Sequence, residues 1–68
     1  MNDETMNMAM RKFLKRFGVS SQQQIEYALF EALEKGQLKG TETLSVKARL
    51  ELPELGLVHE IDGEIPLE

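Results

Sequence analysis

His59 is the only histidine of the chain, and so the one side chain whose ordinary pKa puts its charge change near neutral pH. To act as a base or a metal ligand it would need a nucleophile or further ligands beside it, and the sequence assembles no such set. Its neighbours in an alternating apolar run are Leu57 and Ile61, which predicts a place at a core margin with one ring nitrogen hydrogen-bonded. Ser20 and Ser21 stand where helix caps belong and Ser45 on a strand face, each without an activating base. Glu60, Asp62 and Glu64, at alternate positions, would share one strand face and present oxygen ligands to a hard cation. They lack the turn glycine and ligand order of a calcium loop, and Lys47 and Arg49 are their expected partners. Gly36-Gln37-Leu38-Lys39-Gly40 has neither a Walker pattern nor a strand before it. The reading is a protein that is not an enzyme, with no cofactor and no metal site.

Binding chemistry is better represented. Arg11, Lys12, Lys15 and Arg16 crowd into residues 11–20 with no acid among them, whereas residues 51–68 hold six acids and no Lys or Arg. The net charge is −4. Such polarity either steers partners or satisfies itself between copies of the chain, and the self-complementary reading is preferred. Residues 11–35 also resemble a helix-turn-helix, with a basic helix, Gly18-Val19-Ser20-Ser21 as the turn, and Gln22, Gln23 and Gln24 as base readers. Against nucleic acid stand Glu26, Glu31 and Glu34 facing Lys35 alone on the reading helix, and a pI near 4.9. It is kept as the alternative to a protein-interaction role, in which the basic patch meets an acidic protein.

The elements that would position these groups are well punctuated. Met6, Met10, Phe13 and Phe17 recur at helical spacing, with Ala9 and Leu14 at the edges and the basic residues on the other side. The spacing predicts a helix over about 3–17, with Asp3 and Glu4 in the first turn, Gly18 as its stop and Val19 closing the cap. Ser20 and Ser21, followed by Gln23 and Gln24, offer capping boxes for a second helix over about 21–35, whose apolar face is Ile25, Ala28, Leu29, Ala32 and Leu33. Gly36 ends it. Tyr27 and Phe30 project away from that face, so the second helix carries two apolar faces.

From Leu44 the period becomes two. Leu44, Val46, Ala48, Leu50 and Leu52 alternate with Ser45, Lys47, Arg49 and Glu51, Pro53-Glu54-Leu55-Gly56 is turn chemistry, and Leu57, His59, Ile61 and Ile65 resume the alternation. Strands over about 44–52 and 57–65 follow. Pairing Leu52 with Leu57 sets Leu50 opposite His59, Ala48 opposite Ile61 and Leu44 opposite Ile65 on one face, and Arg49–Glu60, Lys47–Asp62 and Ser45–Glu64 on the other. A one-residue slip would reverse every side chain, so one register is expected.

These elements predict one α+β domain over 1–68, two helices then a hairpin (ααββ), the helices covering the Leu44/Val46/Ala48/Leu50 face. A chain of 68 residues buries only roughly 60% of the surface it exposes when unfolded. With no cysteine and one histidine, oligomerisation is the open route to stability, and a homodimer is expected. It would form through hairpin edges joined into a four-stranded sheet, or alternatively through Tyr27 and Phe30. Tyr27, Phe30, Arg11, Lys12, Lys15 and Arg16 are the candidate interaction surface, for the second copy or an unidentified protein partner. The acidic start, the lack of cysteine and the absence of any apolar run near 18 residues predict a cytoplasmic protein without a membrane segment. Leu67-Glu68 reads equally as a native end or a cloning-site remnant and carries no argument.

Asn2-Asp3-Glu4-Thr5-Met6-Asn7-Met8, Arg11-Lys12-Phe13-Leu14-Lys15, Gly18-Val19 and Ser21-Gln22 together resemble a family of short proteobacterial proteins catalogued as a domain of unknown function. The resemblance continues through Ile25-Glu26, Ala32-Leu33, Leu38-Lys39-Gly40, Leu55-Gly56-Leu57 and Asp62-Gly63-Glu64-Ile65. It implies no substrate, cofactor or catalytic residue.

Overall fold

A computed structural model describes residues 1–68, which divide into two compact units, Met1–Gln37 and Leu38–Glu68. The first unit is one uninterrupted helix, α1, Asp3–Glu34. Asn2 caps it, its side-chain oxygen accepting the Thr5 N–H at 3.1 Å, and Asp3 and Glu4 lie in the first turn, where the helix dipole favours acids. The far end closes as a Schellman motif: the Gly36 N–H donates to the Leu33 carbonyl at 3.2 Å and the Gln37 N–H to the Ala32 carbonyl at 2.8 Å, with Gly36 at φ 73.

The predicted division into two helices is therefore wrong, and its error has a physical source. Gly18 keeps a helical φ; only Gly36, Gly40 and Gly56 are at positive φ. A glycine inside a helix costs about 1 kcal/mol against alanine. Ending and restarting the helix would instead leave four unpaired carbonyls and four unpaired N–H groups to be satisfied. No proline forces the break. Ser20 and Ser21, expected as caps, are interior, and Gln22, expected among the base readers, reaches along the helix to donate to Glu26 at 3.0 Å. Val19, expected to seal a cap, is 53% exposed. A helix-turn-helix needs a turn, and residues 11–34 contain none.

The second unit is an antiparallel hairpin of β1, Thr43–Leu52, and β2, Leu57–Pro66. Every expected pair is present: Leu52 with Leu57, Leu50 with His59, Ala48 with Ile61, Leu44 with Ile65, Arg49 with Glu60, Lys47 with Asp62 and Ser45 with Glu64. Between the strands Pro53–Leu55 forms a 3-10 turn, and Gly56 at φ 64 donates its N–H to the Pro53 carbonyl at 3.1 Å. On the apolar face Leu44, Val46, Ala48 and Leu50 are half-buried, whereas Leu57 and Ile61 of β2 are exposed. His59 is exposed too, rather than tucked at a core margin.

Charge pairing on the polar face differs in detail from expectation. Lys47 reaches the diagonal Glu60 at 3.9 Å, and Arg49 pairs with Glu51 on its own strand at 2.8 Å. Strand twist brings diagonal neighbours within range of long side chains. No side chain in either unit is buried. A single helix and a two-stranded sheet each lack, within themselves, a second layer to pack against.

Candidate interaction surface

Continuity of α1 changes which residues share a face. At 100° per residue, Met6, Met10, Phe13, Phe17, Ser21, Ile25, Ala28 and Ala32 fall on one face about 120° wide, three or four residues apart throughout. Two stripes read as belonging to separate helices are a single stripe about 39 Å long. Its N-terminal half is large and open: Met6 is 39% exposed, Met10 48%, Phe13 46% and Phe17 41%. The Phe13 and Phe17 rings stack with centroids 6.4 Å apart, and the Arg16 guanidinium lies 6.0 Å from the Phe13 centroid. In the C-terminal half Ser21, Ile25, Leu29, Ala32 and Leu33 are half-buried.

The opposite face of the same helix gathers Lys12, Arg16, Gln23, Tyr27 and Phe30, which the two-helix reading had separated. Tyr27 and Phe30 stand well clear of the chain, and Arg11, Lys12, Lys15 and Arg16 are all exposed. None of the four cations takes part in the ion pairs within the chain, which are Lys35–Glu31, Lys47–Glu60 and Arg49–Glu51. Lys12, Lys15 and Arg16 line a shallow open groove with Phe13, Val19 and Gln23, while Arg11 lies outside it. The surface is thus a cationic stretch continued by two aromatic side chains, about 27 Å from Lys12 to Phe30.

Chemistry has less to work with. No group of three or more His, Cys, Asp or Glu side chains is placed to hold a metal ion, and Glu60, Asp62 and Glu64 lie along the exposed polar face of β2. One converging set of donors does exist, at the entrance to β1. The Lys39, Gly40 and Thr41 N–H groups all point at the Glu42 carboxylate, at 2.9 to 3.1 Å, with Gly40 at φ 94 allowing the curl. The Lys39 bond chiefly, helped by the other amides and opposed by desolvation, holds the Glu42 carboxyl below its usual range. Glu42 also fastens the mouth of the hairpin, its carbonyl accepting the Leu67 N–H at 2.9 Å. The cradle is filled by the chain's own acid and serves as a latch. Sequence reading passed over it. Its signal was an acid two residues beyond Gly40, where a loop meets a strand.

No helix is long and apolar enough to cross a membrane. Neither a curated protein nor a solved structure matches the chain. A family model does, along all of residues 1–68 and at the expected length of about 70, so the chain belongs to the family described as a family of unknown function (DUF6494).

Proposed function

We propose that the protein is a non-catalytic, cytoplasmic interaction module that works as a homo-oligomer and docks an acidic protein. The observation that carries this reading is the open Met6/Met10/Phe13/Phe17 stripe in a chain with no buried side chain. Exposed apolar area of that kind is removed from water by association, and a symmetric pairing of copies is the commonest way. The opposite face then stays free, with Lys12 and Arg16 running into Tyr27 and Phe30, and Arg11 and Lys15 beside them. Arg and aromatic side chains are the types that carry binding energy at protein interfaces, and the unpaired cations select an acidic partner.

Light scattering across a concentration series tests the self-association. A mass of at least twice 7.8 kDa that falls on dilution is expected, and a mass of 7.8 kDa at every concentration overturns the reading. The docking face is tested separately with an immobilised acidic peptide. Binding that is lost on Arg16→Glu with Tyr27→Ala, at unchanged mass, is the expected result.

A further inference from the structure

We infer that the second copy lies antiparallel along α1, with the twofold axis passing near residue 19. The inference rests on the self-association reading and specifies its geometry. Read from its N-terminal end, the apolar line is Met6, Met10, Phe13, Phe17, Ser21, Ile25, Ala28, Ala32: large side chains first, small ones last. Laying a second copy in reverse about residue 19 sets Met6 against Ala32, Met10 against Ala28, Phe13 against Ile25 and Phe17 against Ser21. Three of the four layers join a large side chain to a small one, which fills the space between two straight helices at nearly constant separation. A parallel pair would crowd Met on Met and Phe on Phe at one end and leave Ala facing Ala at the other.

The β2 edge is a poorer candidate for a twofold, because pairing β2 with itself opposes Glu60, Asp62 and Glu64 to one another. A strip about 39 Å long and about 10 Å wide on each copy removes roughly 800 Å² from water in total, the size of a weak, reversible contact that dissociates on dilution.

The chain has no cysteine, so single spin labels can be placed cleanly. Lys12→Cys, Val19→Cys and Glu26→Cys sit one heptad apart on the side of α1 away from the stripe. Distances between the labels of two copies, read by double electron–electron resonance, are expected to be shortest at 19. They should lengthen equally at 12 and 26, where the axial offset is about 21 Å at 1.5 Å of rise per residue. Equal distances at all three positions mean a parallel pair, and a dimeric mass without a minimum at 19 means a different interface. Either result overturns the antiparallel arrangement while leaving self-association standing. A monomer by mass, with no distance at all, overturns both.

Discussion

At the scale of single residues, Gly18 and Gly56 show one residue type serving two opposite conformations. Gly18 has the type that stops helices, yet an added Cβ there meets nothing within 4 Å and its φ is helical. Gly18→Ala should therefore raise thermal stability by up to about 1 kcal/mol, the helix-propensity gain. Had Gly18 capped a helix in the left-handed region, the same change would destabilise, so the sign of the shift in a thermal melt separates the two structures. Gly56 provides the contrast. At φ 64 it closes the Pro53 turn, and Gly56→Ala should cost about 1–2 kcal/mol, checked by the same melt. Both glycines look alike in sequence; what distinguishes them is the following chain, since Val19-Ser20-Ser21-Gln22 can remain helical whereas Leu57 begins a strand. Glu42 carries a pH prediction. Its carboxyl titrates below the ordinary carboxylate range because it accepts the Lys39 N–H and neighbouring amides, so the latch is intact above the unfolded-state pKa and released as pH falls through the depressed folded value. An NMR pH titration should show the Glu42 carboxyl titrating below the ordinary carboxylate range, with the Lys39, Gly40 and Thr41 amides losing exchange protection in the same step. Glu42→Gln should weaken that protection at neutral pH as well.

At the scale of elements, the hairpin was legible residue by residue and the helix was not. Period-two alternation fixes which face each strand residue takes, and apolar and charged pairs agreed on one register, so local and cross-strand signals reinforced each other. The polar-face contacts were less legible because register constrains backbones, while twist decides which long side chains meet. In the helix the termini were read well. Gly36 does end it, and Tyr27 and Phe30 do stand away from the Ile25/Leu29/Ala32 side. Its middle misled because Ser20, Ser21 and the glutamines are favourable caps and acceptable interior residues alike; local preference leaves both open, and the saving of two helix ends decides. That continuity is what unites the apolar stripe. Phe17→Glu, near its centre, would place two charges in the proposed interface. Burying one Phe is worth about 1.5–3 kcal/mol, so across two copies the dissociation constant should rise at least about a hundredfold, measured by sedimentation.

At the scale of the whole molecule, the governing fact is that neither unit buries a side chain. Composition had already indicated a marginal core. What composition could not convey is that the helix would not fold back, which leaves a long amphipathic surface to be completed by something else. On the proposed self-association, folding and association are linked, and apparent stability is expected to depend on protein concentration by mass action. The central claim, that a second copy completes this fold, is tested most directly by thermal unfolding followed by circular dichroism over a hundredfold range of concentration. A melting temperature that climbs steadily with concentration is the expected result. One that stays constant across the range, in a chain that scatters as a 7.8 kDa monomer, would contradict it.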